Sequence, residues 1–234
     1  MKKILVIIPA FNEEESILNV YNSIRNFSSE LDCIVINDAS IDSTRSILEK
    51  NNIPHIDLVH NLGIGGAVQT GYKYAYYNNY DYAVQFDGDG QHNIEYIYEL
   101  IDSIEKEGND LVIGSRYIIK DSDSFQSTQI RQFGIKIISI FIKSVTRKKI
   151  YDTTSGYRAC NKSIIKCFAN SYPIEYPEPV STVEVLKRGY KVGEIFVKMN
   201  ERQGGVSSIR AWKTAYYMLN VVLSILIVSF RRYK

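Results

Sequence analysis

The chain has 234 residues, 45% of them hydrophobic and 23% charged, with a formal net charge of +2. That length suits one large domain, and that composition excludes wholesale disorder. The basic residues are spread along the chain, apart from the short Arg147-Lys148-Lys149 cluster, which argues against a nucleic-acid partner. Three cysteines without a CxxC pair argue against a disulfide framework or a zinc site and suit a reducing cytoplasm.

Ile4–Ile8 is β-branched and almost wholly apolar, as a parallel strand buried on both faces should be. It stops at Pro9, too short for a signal peptide. Apolar positions Ile17, Leu18, Tyr21 and Ile24 predict a helix over Glu13–Phe27. Asp32–Ile36 reads as a second strand. Its turn, Asn37-Asp38-Ala39-Ser40, leads to a helix over Ser43–Asn51 that Ser40 or Asp42 could cap. A third strand, Ile56–Val59, precedes a glycine-rich turn at Asn61–Gly66 and a helix over Ala67–Tyr77. Tyr82–Phe86 forms a fourth strand and delivers the acidic turn Asp87-Gly88-Asp89-Gly90-Gln91. A helix over Ile94–Glu107 and a strand at Asp110–Gly114 follow. Such alternation defines an α/β protein with an open, mostly parallel sheet flanked by helices.

The second half is less regular. Ile130–Val145 predicts an amphipathic helix, and Tyr151–Ala159 reads as a polar, turn-rich segment. Short helices are expected at Ile164–Ala169 and Val180–Arg188, and a strand within Lys191–Met199. Residues 1–210 form one domain, and 211–234 a C-terminal apolar helix. Ala215–Phe230 carries no charge and is followed by Arg231-Arg232-Tyr233-Lys234. At about 1.5 Å per residue it reaches about 24 Å, short of a hydrocarbon core of roughly 30 Å. A shallow in-plane membrane helix is the first reading, a helix docking an oligomer or partner the second, and a span the third.

In open α/β sheets, ligands bind beyond the carboxyl ends of the strands. The polar turns 9–13, 37–42 and 87–91 each follow a strand and should meet in one crevice. Asp87 and Asp89, at i and i+2 with glycines between and after them, can direct carboxylates at a hard divalent cation, with Gln91 adding a neutral oxygen. An ordinary surface turn would use the same residues. Asp38 could contact a base or ribose, or cap the helix that follows. The Gly63–Gly66 turn is either a phosphate cradle or a close packing turn.

Pro9-Ala10-Phe11-Asn12-Glu13, Asn37-Asp38-Ala39-Ser40-Ile41-Asp42, Asn61-Leu62-Gly63 and Asp87-Gly88-Asp89-Gly90-Gln91-His92 together resemble the inverting glycosyltransferase family 2 with its GT-A fold, a Rossmann-like mixed sheet. Gly114-Ser115-Arg116-Tyr117, Asp152–Arg158 and Glu201–Ser207 extend the resemblance, which points to the branch that glycosylates polyprenyl phosphates and surface polysaccharides. The resemblance implies Mg2+ or Mn2+, a UDP- or GDP-sugar donor and a lipid-linked acceptor. It implies work at the cytoplasmic membrane face, with a small membrane protein or a second copy as further partners. Pro9, Ala10, Phe11, Glu13, Asp38, Gly63, Asp87, Gly88 and Asp89 would bind the donor; Asp89 and Gln91 would hold the metal. Arg116, Arg131 and Arg202 would handle phosphates, though Arg131 also suits a helix surface. Where relatives carry a carboxylate base this chain has Val180, leaving Glu178 or Asp152 as substitutes, or no base at all if the acceptor is an ionised phosphate. A nucleotidyltransferase and a non-catalytic nucleotide-sugar-binding scaffold are the alternatives.

Overall fold

The structure, a computed structural model, describes residues 2–118, 129–200 and 211–231, with the side chains of these except 129–131 and 211–217. β1 (Ile4–Ala10), β2 (Leu31–Asn37), β3 (His55–Asp57), β4 (Tyr82–Gln85), β5 (Leu111–Ser115), β6 (Arg158–Asn161) and β7 (Val192–Phe196) form one sheet in the order β3-β2-β1-β4-β6-β5-β7. All neighbours are parallel except β6, which runs antiparallel to both β4 and β5. The helices are α1 (Ile17–Phe27), α2 (Thr44–Lys50), α3 (Gly63–Tyr77), α4 (Ile97–Glu107), α5 (Gln129–Thr146), α6 (Lys162–Asn170), α7 (Pro177–Lys187) and α8 (Ala211–Phe230).

Both faces of the sheet are covered, and the strand residues divide accordingly. Leu5, Ile7, Ile34 and Ile36 enter one core with α3, α6 and α8, while Ile4, Val6, Ile8, Cys33 and Val35 enter the other with α1 and α4. That two-residue alternation on continuously apolar strands is what burial on both faces requires. α3 lies close over β1 because Gly71 has no side chain; a methyl there would run into Ile7.

Several expected boundaries need correction, that of α7 among them, which begins at Pro177 and not Val180. The segment Tyr151–Ala159, read as a turn, runs into strand β6 at Arg158. The glycine turn is not a loop: α3 already begins at Gly63. α1 starts at Ile17, because the preceding residues are held by the neighbouring turn through Glu13 N–H to Thr44 Oγ1 (2.9 Å) and Glu14 N–H to Asp42 Oδ2 (3.1 Å). The C-terminal helix forms as expected, and among the described residues no helix is long and apolar enough to cross a membrane.

Candidate active site

The strand order changes direction between β1 and β4, and that switch point is where an open α/β sheet leaves a crevice. The expected turns meet there. Asp38 N–H donates to the Ala10 carbonyl (2.8 Å), Asn12 N–H to Ser40 Oγ (3.0 Å), and Ile41 N–H to Asn12 Oδ1 (2.9 Å). A Cβ on Gly88 would sit 3.1 Å from the Pro9 carbonyl oxygen, so glycine lets the 87–91 turn lie against the end of β1. Asn12, Ala39 and Tyr176 hold left-handed φ of 56°, 57° and 51° around this edge. For alanine and tyrosine such a conformation costs about 1–2 kcal/mol, a strain that concentrates at functional sites.

The donor-binding candidates fall into two kinds. Pro9 and Ala10 are buried in the strand and contribute backbone, whereas Phe11 is 46% exposed at the mouth. Glu13 accepts from Ser16 Oγ (2.9 Å), which holds its carboxylate on the first turn. Asp38 Oδ1 accepts the Leu62 N–H (2.7 Å), so this carboxylate anchors the start of α3 rather than capping α2. Burial pushes its pKa up, against the N–H groups of Leu62 and Gly63. Gly63 has φ +73° with open space where a side chain would be, so backbone there can approach a ligand closely. Gly65 serves packing: a methyl on it would overlap the carbonyls of Pro173 and Ile174.

Asp87, Asp89 and Gln91 are each partly exposed at the crevice. Asp89 Oδ1 accepts the Gln91 N–H (3.0 Å), which closes the turn. His92 is buried, stacked on Tyr157 (centroids 4.6 Å apart) and edge-on to Phe86. Its Nδ1 accepts the Asp87 N–H (3.1 Å), so the ring proton sits on Nε2, 3.4 Å from Asp87 Oδ2. Burial lowers the His92 pKa to about 4, leaving a neutral ring that orients Asp87 by backbone and side chain together. Two carboxylates and a neutral oxygen suit a hard divalent cation that completes its shell with substrate phosphates. Among the described residues, the His, Cys, Asp and Glu side chains that converge within reach of one ion are Glu49, His55 and Asp57, between α2 and β3. Arg45 already neutralises that second group, at 2.9 Å from Glu49 and 3.2 Å from Asp57.

Opposite the acidic turn, Arg116 grips Asp152 by Nε (2.7 Å) and Nη2 (2.8 Å). Asp152 is fully buried and also accepts the Arg116 N–H (3.1 Å), so it is a fixed counter-ion to Arg116. Glu178, at the start of α7, interacts electrostatically with Asp87 and Arg158. Burial holds its pKa above the ordinary carboxylate value, opposed by Arg158 and Gln85. Val180 is 4% exposed and presents no polar group to the crevice. Arg202 and the side chain of Arg131 lie outside the described residues.

Sequence reasoning passed over Gln85 and gave no separate role to Gly156 and Arg158 within the Asp152–Arg158 motif. Arg158 is completely buried, donating from Nε to the Ser155 carbonyl (2.8 Å) and from Nη1 to Ser181 Oγ (3.1 Å). A Cβ on Gly156 would come within 3.0 Å of Asp87 and of the Gln85 amide. The available signal was the place of Gly156 and Arg158 in the Asp152–Arg158 motif.

Residues 5–168 match the family described as Glycosyl transferase family 2, and the chain belongs to that family. It is 31% identical over 220 residues to the UDP-N-acetylglucosamine–dolichyl-phosphate N-acetylglucosaminyltransferase of Methanococcus voltae, covering 84% of this chain and 85% of that protein. Against the polyprenol monophosphomannose synthase of Mycolicibacterium smegmatis the identity is 25%, over 89% of this chain and 81% of that protein. The fold matches glucosyl-3-phosphoglycerate synthase of Mycobacterium tuberculosis, solved with Mn2+, UDP and glucosyl-3-phosphoglycerate, with a TM-score of 0.69. At 15% identity, over 100% of this chain and 82% of that one, this likeness establishes the GT-A fold and no more.

Proposed function

We propose that this chain moves a hexose from a UDP- or GDP-sugar onto a polyprenyl phosphate or a related lipid-linked acceptor, with inversion, at the cytoplasmic face of a membrane. The observation that carries the reading is the meeting of Asp38, Gly63, Asp87 and Asp89 at the β1/β4 switch point, with the Arg116–Asp152 pair facing them. The relatives named above, which by name transfer sugars to dolichyl or polyprenol phosphates, support the acceptor class.

Asp89 and Gln91 would hold Mg2+ or Mn2+, which when bound neutralises the diphosphate leaving group. Asp38 and Gly63 would seat the nucleoside. Asp87, held by His92, would face the ribose and phosphates. Arg116, with Arg131 and Arg202, would receive acceptor phosphate, a task suited to guanidinium forks. An acceptor phosphate oxygen attacks the anomeric carbon as the bond to the nucleoside diphosphate breaks. Such an oxygen is already ionised near neutral pH, so the apolar Val180 costs nothing. Glu178 then takes no proton from the acceptor.

The test is transfer from UDP- and GDP-sugars with Mn2+ to a short-chain polyprenyl phosphate and to the matching polyprenol. Transfer to the phosphate alone, retained in Glu178→Gln, is the expected result. Efficient transfer to the polyprenol that is lost in Glu178→Gln would replace the phosphate acceptor by a hydroxyl acceptor with Glu178 as base.

A further inference from the structure

α8 shows two faces. Val221 and Ile225 are fully buried in the core, while Leu219, Leu223, Ile227 and Phe230 form an exposed stripe at helical spacing, Ile227 at 73% and Phe230 at 84%. α5 packs beside it, with a Cβ on Gly134 falling 2.8 Å from the Met218 sulfur, and exposes Phe133 and Ile140. Charge is distributed with equal asymmetry. Residues 129–150 and 211–234 together hold ten Lys and Arg and no Asp or Glu, whereas the rest of the chain holds eighteen Lys and Arg against twenty-six Asp and Glu. Lys136, Lys143, Arg147, Lys148 and Lys149 are all exposed along or just beyond α5. A near-neutral protein is therefore an acidic catalytic body carrying a basic, apolar helix pair.

We propose that the exposed face of α5 and α8 docks flat on an anionic lipid bilayer, the apolar stripe entering the headgroup boundary and the lysines meeting lipid phosphates. An exposed apolar stripe rimmed by cations is the composition of an interfacial helix, and no described helix is suited to spanning. A second copy docked through the same face would bring two sets of exposed α5 lysines together, which like-charge repulsion opposes. The proposal rests on the lipid-linked acceptor reading for its purpose: it holds the crevice at the surface where such an acceptor lies.

The experiment is co-flotation of the full chain with vesicles of phosphatidylcholine, or of phosphatidylcholine with phosphatidylglycerol, across a salt series. Thermal stabilisation by UDP with Mn2+ and transfer to a water-soluble short-chain acceptor are measured alongside. Binding should need phosphatidylglycerol and fade with salt. In Lys143→Glu with Lys148→Glu it should fall by about fivefold or more per charge removed, the scale for a basic residue at an anionic surface. Leu223→Ser with Ile227→Ser should weaken it at low salt as well. Both double variants should keep the UDP response, which shows that they fold. Absence of vesicle binding, binding indifferent to both double variants, or a dimer dispersed by Leu223→Ser with Ile227→Ser in place of vesicle binding would each overturn the proposal. Transfer to the soluble acceptor without vesicle binding refutes the membrane face alone. Vesicle binding without transfer refutes the acceptor reading alone.

Discussion

Replacing Asp152 by Asn should be among the more damaging single changes in the crevice. The Asp152 carboxylate is fully buried and takes three donors from Arg116, at 2.7, 2.8 and 3.1 Å. An amide of the same shape would offer one oxygen and turn its own N–H groups toward a guanidinium that can only donate. The Arg116 side chain is 10% exposed and cannot recover the loss from water. Removing one partner of a buried pair costs about 3–5 kcal/mol. For a chain of this size each kcal/mol is worth about 2–4 °C, so the midpoint should fall on the order of 10 °C. Calorimetry with urea unfolding at unchanged slope measures this. A loss below about 1 kcal/mol would refute the buried-pair reasoning. The double variant Arg116→Met with Asp152→Leu removes both charges and should regain most of the stability. If Arg116 receives acceptor phosphate, transfer stays lost in that variant; recovery of transfer would reduce the arginine to a structural part.

Asp89→Asn should abolish Mn2+-dependent stabilisation by UDP while leaving the free protein's midpoint unchanged; the wild type should gain about 2.7 kcal/mol at a hundredfold excess over Kd. Glu178 has a raised pKa, so the stability it contributes is full in acid and lost as pH rises through that pKa. Glu178→Gln should therefore melt above the wild type at roughly pH 8 and match it near pH 4, and a constant difference across a pH series would contradict the burial argument. Gly65→Ala and Gly63→Ala should each cost about 1–3 kcal/mol for different reasons, overlap with the 173–174 backbone in the first and a φ of +73° in the second. Asn at position 63 should restore the second and Asn at 65 should not rescue the first, as urea midpoints will show.

Most of the donor half was legible because its signals are local. Apolar runs end in polar turns after β1, β2 and β4, and a parallel sheet puts the carboxyl ends of such strands on one edge. What escaped depends on partners distant in sequence. β6 is Arg-Ala-Cys-Asn, with neither branched residues nor clean alternation; it is a strand because β4 and β5 both pair with it. Three glycines in four residues read as a turn by propensity, yet Gly65 and Gly71 are there so that helix α3 can approach the 173–174 backbone and Ile7. Asp38 read as a cap for α2 in one of its two readings, but the residue it binds, Leu62, lies beyond both α2 and β3. Helix α7 begins at Pro177, three residues before the expected Val180, since proline at the first turn lacks only an N–H the helix leaves unpaired.

The reversal of β6 is what joins the two halves of the site. Its antiparallel pairing sets Arg158 beside Gln85 at the crevice end of β4, so the segment feeding β6 crosses the same edge as the 87–91 turn. Asp152 thereby reaches Arg116 at the end of β5, and Gly156 comes against Asp87. A parallel strand in that slot would enter from the opposite edge of the sheet and carry 152–157 away from the donor. The fully buried Arg158 then has a reason to be where it is. It ties the reversed strand to the Ser155 carbonyl and to Ser181 on α7, and so fixes the helix whose first turn carries Glu178 and Val180. The side of the crevice where the acceptor's chemistry is decided is set by the direction of one four-residue strand.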